Sequence, residues 1–127
     1  MKQAIFIIII IISMLYSCDY GSKSLTQNFE ISWVDLEETR TLRYNSESVG
    51  VGYTHKAGYN DNYIIILGEN NKSSKAYYII DIKEYSLKWG KRPEKQGRIG
   101  PLSKKQFDNT LKQLNQTDLE FTLEYIK

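Results

Sequence analysis

The chain has 127 residues, 41% of them hydrophobic and 25% charged, with a formal net charge of +2. That length suits one domain, and the composition is not that of a disordered, collagen-like or multi-span membrane protein. A single cysteine excludes an internal disulfide and a thiolate zinc site, and a single histidine, His55, argues against a histidine-rich metal centre, so no metal or other cofactor is expected.

Hydrophobicity concentrates at the start. Lys2 precedes the run Ala4-Ile5-Phe6-Ile7-Ile8-Ile9-Ile10-Ile11-Ile12, and Ser13-Met14-Leu15-Tyr16-Ser17-Cys18 follows. A positive residue and then a short apolar stretch is the layout of a secretory signal, and the stretch falls short of the ~20 residues that span a bilayer. A retained N-terminal anchor helix is the competing reading.

Leu15-Tyr16-Ser17-Cys18 resembles the lipobox of bacterial lipoproteins, where a Leu and a small residue precede an obligatory Cys. Tyr16 is bulkier than the residue usual in that motif. The resemblance implies a diacylglyceryl group on the Cys18 thiol, cleavage just before Cys18, and a protein held on the extracytoplasmic side of a cell membrane or outer membrane. A thiol is needed because its thiolate is the nucleophile that forms the thioether. Several acyl chains, palmitate among them, anchor stably where one chain is marginal. Removal of 17 residues from 127 leaves 110. Of these, residues 18–27 read as the lipidated N terminus and a polar tether (Asp19-Tyr20-Gly21-Ser22-Lys23-Ser24), and residues 28–127 as one α+β domain.

Within that body, Phe29, Ile31 and Trp33 alternate with polar residues, as in a half-buried strand. Thr39–Asn45 repeats the pattern with Leu42 and Tyr44, and Val49, Val51 and Tyr53 give a third strand whose other face bears Gly50 and Gly52. Tyr63-Ile64-Ile65-Ile66-Leu67 is continuously apolar and reads as a central strand, with Ala76–Ile82 as its partner. The intervening Glu69–Lys75 is a polar turn, so the two strands form a hairpin with a long tip. Tyr85, Leu87 and Trp89 alternate as a further strand. After Gly100-Pro101, Ser103 and Gln106 form a capping box, Leu102 and Phe107 a hydrophobic staple, and Phe107, Leu111 and Leu114 a helical stripe. The segment Leu119–Ile126 fits strand or helix, and its Phe, Thr and Tyr favour a strand. The expected fold class is α+β, an antiparallel β-meander with one C-terminal helix packed on it.

Tyr77-Tyr78-Ile79-Ile80-Asp81 followed by Gly100-Pro101-Leu102-Ser103 and Phe107 resembles the C-terminal half of a family of small uncharacterised bacterial lipoproteins, in which a tyrosine-rich strand leads into a Gly-Pro-Leu helix start. The resemblance covers roughly residues 60–114. It implies the fold and the membrane address and carries no activity.

No arrangement of residues announces catalysis. His55 has no Gly-x-Ser-x-Gly elbow to serve and reads as an exposed turn residue. Glu37-Glu38 would point to opposite faces of a strand and reads as a solvated turn. Asn60-Asp61-Asn62 lacks the spacing of a calcium loop and fits turn chemistry, and Gly50-Val51-Gly52 lacks the helix of a phosphate loop. Nine tyrosines lie beyond residue 17, and Tyr53, Tyr59, Tyr63, Tyr77 and Tyr78 fall in or beside the central strands. They serve either as cross-strand packing or as an exposed binding row.

Charge is placed unevenly: Lys83 to Lys105 carries eight basic and two acidic residues, a net of +6. Trp89, Lys91, Arg92, Lys95 and Arg98 fall together in an expected loop, either merely solvated or a binding surface. Beyond the cytoplasmic membrane its partner would be an acidic protein or an anionic envelope component and not nucleic acid. The expectation is therefore a lipid-anchored, non-catalytic binding protein, with an immunity-type lipoprotein that neutralises a toxin, or a small envelope hydrolase using His55, as alternatives.

Overall fold

A computed structural model describes residues 20–34 and 36–125. The expected signal segment and Cys18 lie outside the described residues, as does Ile126 at the end of the ambiguous last segment.

The chain opens with strands β1 (Tyr20–Thr26), β2 (Phe29–Val34), β3 (Thr41–Tyr44) and β4 (Glu47–Ser48), which form one antiparallel sheet in sequence order. The segment expected as a tether is thus strand up to Thr26. It contributes Leu25 to the core while its Ser and Lys side chains stay exposed, and that polar face disguises it. Two-residue turns close both outer hairpins: Gln27-Asn28 and Asn45-Ser46 all have positive φ, the geometry that matches the twist of paired strands. Glu37–Thr39 forms a 3-10 turn with its glutamates exposed, as the solvated-turn reading requires.

The second sheet has the order β8-β7-β6-β5-β9, with β5 (Tyr53–Tyr59), β6 (Tyr63–Glu69), β7 (Lys75–Asp81), β8 (Arg98–Leu102) and β9 (Leu123–Glu124). All its pairings are antiparallel. Helices α1 (Ile82–Leu87) and α2 (Pro93–Gln96) join β7 to β8, and α3 (Lys104–Gln113) follows β8.

Strands β6 and β7 are covered on both faces, which is why their sequences run apolar without alternation. Ile64, Ile66, Tyr78 and Ile80 face the first sheet and pack with Phe29, Ile31 and Leu42. Ile65 and Ile79 face the other way and pack with Phe107 and Leu111 of α3, and Tyr77 stacks on Phe107 at 4.8 Å. The result is three layers, sheet on sheet on helix, where a single sheet with one helix was expected. The α+β character stands, and the second sheet is the correction.

Four local readings also change. Tyr85, Leu87 and Trp89 do not form a strand, because the Asp81 carboxylate caps Glu84 N–H at 3.0 Å and starts α1. Ile82 and Tyr85, three apart, then share the buried face, and Leu87 is left 76% exposed. Strand β8 went unread because Gly100-Pro101 interrupts it, which an edge strand tolerates. In the described part of the expected last strand, Leu123–Glu124 pairs with Lys56 and Ala57, flanked by Thr122 and Tyr125 N–H donating to the Ala57 and His55 carbonyls.

Val49–Gly52 is not a strand but the crossing from the first sheet to the second. Gly50 and Gly52 have φ near +74° and +72°, and Val49 and Val51 are buried. The crossing presses so closely on β6 that a Cβ on Gly68 would lie 1.8 Å from the Val51 carbonyl oxygen. By contrast the capping box of α3 is as expected: Ser103 Oγ accepts from Gln106 N–H at 3.2 Å, and Gln106 Oε1 accepts from Ser103 N–H at 2.9 Å.

Replacing Ile66 with Ala should destabilise the protein by about 2–5 kcal/mol, whereas Lys72→Ala in the exposed β6–β7 tip should change stability by less than about 0.5 kcal/mol. Urea denaturation followed by circular dichroism reads both. Equal midpoints for the two variants would contradict the burial of Ile66 between the sheets.

Candidate functional site

Two polar regions stand out, one inside the sheet and one at an end of the molecule. The internal one centres on His55, which lies in β5 and not in an open turn. The register of β5 on β6 slips between Thr54 and Lys56, so His55 is the extra residue of a bulge. Its Nε2 lies 2.5 Å from Oε2 of Glu69, and the two side chains are 16% and 8% exposed. Glu69, read as part of a polar tip, is in fact the buried last residue of β6. The alternation at this strand end was masked because a buried acid and its histidine look like turn residues when taken singly.

Arg40 lies beside the same strand end, 5% exposed, with its guanidinium 4.3 Å from the centre of the Tyr125 ring. Thr54 N–H donates to the Arg40 carbonyl at 2.8 Å, and Tyr125 N–H to that of His55 at 2.8 Å. Among the described residues, Arg40 Nε, Thr54 Oγ1 and Tyr125 Oη have no hydrogen-bond partner. Attraction between the cation and the ring offsets part of that desolvation. Burial pushes the Tyr125 phenol above its usual 10.0, against the opposing pull of Arg40, and burial likewise raises Tyr85, against Arg98. Among the described residues the imidazole bonds a carboxylate and no hydroxyl, and no group of three metal-binding side chains occurs. This arrangement knits strands together; it does not present a nucleophile to solvent.

The second region is the basic stretch. Lys88 to Lys91 forms a turn closed by Lys91 N–H donating to the Lys88 carbonyl at 3.2 Å, with Gly90 at φ +94° in its third position. Trp89 sits at the tip, 42% exposed, one edge packed on Tyr44 at 4.8 Å. Tyr44 in turn contacts Phe29 and Tyr85, so the indole rests on an aromatic stack. Below the turn, the buried Gln96 donates from Nε2 to the Tyr85 carbonyl at 2.8 Å, and Asp81 N–H donates to Gly97 at 3.0 Å. The turn therefore projects from a fixed base.

Of the five residues expected to act together here, four do lie in this projecting region. Trp89, Lys91 and Arg92 are exposed in the connection between α1 and α2, and Lys95 is exposed on α2. Arg98 is elsewhere in role: its side chain is 15% exposed, and its Nη1 donates to the Gly50 carbonyl at 2.8 Å. It ties β8 to the crossing between the sheets. Lys88 pairs with Glu84, while Lys91, Arg92 and Lys95 have no ion-pair partner among the described residues. Leu87, which the strand reading buried, joins this surface instead.

The tyrosines do not make one exposed row. Tyr53 and Tyr59 are 39% and 42% exposed at opposite ends of β5, Tyr63 and Tyr77 are half-buried, and Tyr78 is buried. Asn60-Asp61-Asn62 is a turn, with Asn60 Oδ1 accepting from Asn62 and Tyr63 N–H. A shallow cleft lies beside it, lined by Tyr59, Asp118 and Glu120.

His55→Ala removes the bond to Glu69 and should destabilise the fold by about 1.5–3 kcal/mol, with Lys56→Ala, whose ion pair is exposed, costing under about 1 kcal/mol. A second expectation concerns alkali. Below the ordinary phenol value of 10.0 the raised tyrosines are neutral in both folded and unfolded chains, so their contribution is complete. Above it the unfolded phenols ionise first, so stability falls as pH rises. Thermal unfolding between neutral and alkaline pH should show this fall, and the fall should shrink in Tyr125→Phe; an identical pH profile in that variant would contradict it.

Comparison with family models, with curated proteins and with solved structures finds no match for this chain.

Proposed function

We propose that this is a lipid-anchored protein of the bacterial cell envelope whose role is binding and not catalysis. The observation that carries the reading is Cys18 at the end of a positive, Ile-rich leader, preceded by Leu15 and Ser17. A thiol at that point is the attachment atom for a diacylglyceryl group, and cleavage before it places the anchor two residues ahead of β1. The domain then stands directly on the membrane, with no tether longer than Cys18-Asp19 between the lipid and the first strand.

The binding part of the reading draws support from two features. His55 is bonded to Glu69 inside the sheet, which suits a structural histidine better than a general base. The exposed turn carrying Trp89, Lys91, Arg92 and Lys95 is held on a rigid base, which lowers the entropy lost when it engages a partner.

Cells fed a clickable fatty acid should label the wild-type protein, and Cys18→Ser should remain unlabelled and accumulate with its leader attached. Label on the Cys18→Ser protein, or none on the wild type, would overturn the anchor.

A further inference from the structure

Strand β1 sets a length. It runs seven residues, from Tyr20 opposite Val34 to Thr26 opposite Phe29, about 20 Å at ~3.3 Å per residue. Cys18 lies two residues before its first end. At its far end Phe29 contacts Tyr44, and Tyr44 carries the Trp89 ring. Tyr20, the first described residue after the proposed anchor, and the exposed turn therefore lie at opposite ends of the first sheet.

The turn has the chemistry of a bilayer interface. Leu87, 76% exposed, and Trp89 present apolar surface at its tip, and a Cβ on Gly90 would meet no atom within 4 Å, so the tip is convex and open. Lys91, Arg92 and Lys95 follow with no ion-pair partner among the described residues. Indole rings settle at the headgroup level, and long cationic side chains lay their stems on apolar surface while their charges reach anionic phosphates. Glu84 pairs with Lys88 and Glu94 lies 4.0 Å from Arg98, while the exposed Glu47, opposite Tyr44, has no ion pair among the described residues and leaves the cations in the majority.

We infer that the Leu87–Lys91 turn, with Arg92 and Lys95, is a second membrane contact that docks on anionic lipid and lays the first sheet along the bilayer. This rests on the lipid-anchor reading, which keeps the surface within reach. Each cation near an anionic leaflet contributes only ~1 kcal/mol, but a tethered domain meets that leaflet at high effective concentration, so a few such contacts suffice. A convex apolar tip ringed by cations fits a fluid, anionic surface, whereas a protein partner would need a matching acidic hollow.

The test uses the full-length gene product purified from the membrane fraction and reconstituted into vesicles. One set contains phosphatidylglycerol and phosphatidylcholine, the other phosphatidylcholine alone, and both carry a lipid-borne fluorescence quencher. Trp89 fluorescence, taken as the difference between wild type and Trp89→Phe, should be quenched on the anionic vesicles, and raising the salt should reverse it. Neutralising Lys91, Arg92 and Lys95 to Gln should lower the docked-to-undocked ratio about fivefold per charge removed. Flotation of the same samples reads the anchor separately. Protein that floats with the vesicles while Trp89 stays unquenched overturns the docking and leaves an acidic protein as the partner of that surface. Protein that does not float overturns the anchor, and the docking with it.

Discussion

Strands β6 and β7 are apolar on both faces, and the rest of the molecule is arranged to keep both faces dry. Ile64, Ile66 and Ile80 require cover on one side and Ile65 and Ile79 on the other. A lone helix covers only one face of a sheet. The first four strands therefore close the face of Ile64, Ile66 and Ile80, and α3 with Phe121 and Leu119 closes that of Ile65 and Ile79. Burial of this kind, worth roughly 25 cal/mol per Å² of apolar surface, is the dominant favourable contribution to folding.

That two-sided burial also explains where glycine and charge are placed. The crossing from one sheet to the other must pass close over the end of β6, and Gly68 admits the Val51 carbonyl where any side chain would collide. Gly52, at positive φ, likewise passes against the Glu69 backbone. Arg98 then spans the gap between β8 and the crossing, its Nη1 donating to the carbonyls of Val49 and Gly50. His55, Glu69 and Arg40 gather at the strand end, where sheet pairing leaves room for a bulge and Leu123–Tyr125 fold over.

Much of the fold was legible in local pattern. The central hairpin, the strands at Phe29–Trp33 and Leu42–Tyr44, and the capping box of α3 rest on periodicity and on contacts within a few residues, which local sequence contains. The polar strand β1 and the Pro-interrupted β8 were not legible, because their pairing partners decided them; the helical turn at Ile82–Leu87 has a local cap, but the alternation of Tyr85, Leu87 and Trp89 competes with it. Leu87 and Trp89 alternate with Tyr85 as a strand would, yet one carboxylate, Asp81, tips that segment into a helix. Of the candidate surface, the Trp–Lys–Arg cluster could be read directly. That Arg98 turns inward and Leu87 outward could not: Arg98 bonds the distant Gly50 carbonyl, and Leu87 is exposed because Ile82 and Tyr85 take the buried face of α1.

By itself the sequence determined the layout of chemistry along the chain: an apolar leader ending in one cysteine, a doubly apolar hairpin, a capped helix and a basic stretch. These are properties of neighbouring residues, and they survive whatever the rest of the chain does. Tertiary structure alone decided which residues meet. It placed His55 against Glu69 across fourteen positions, brought Trp89 onto Tyr44 at the Thr26 end of the first sheet, and stacked a second sheet on the first. Contacts over such separations arise from burying both faces of one sheet at once, and no local window of sequence contains that requirement.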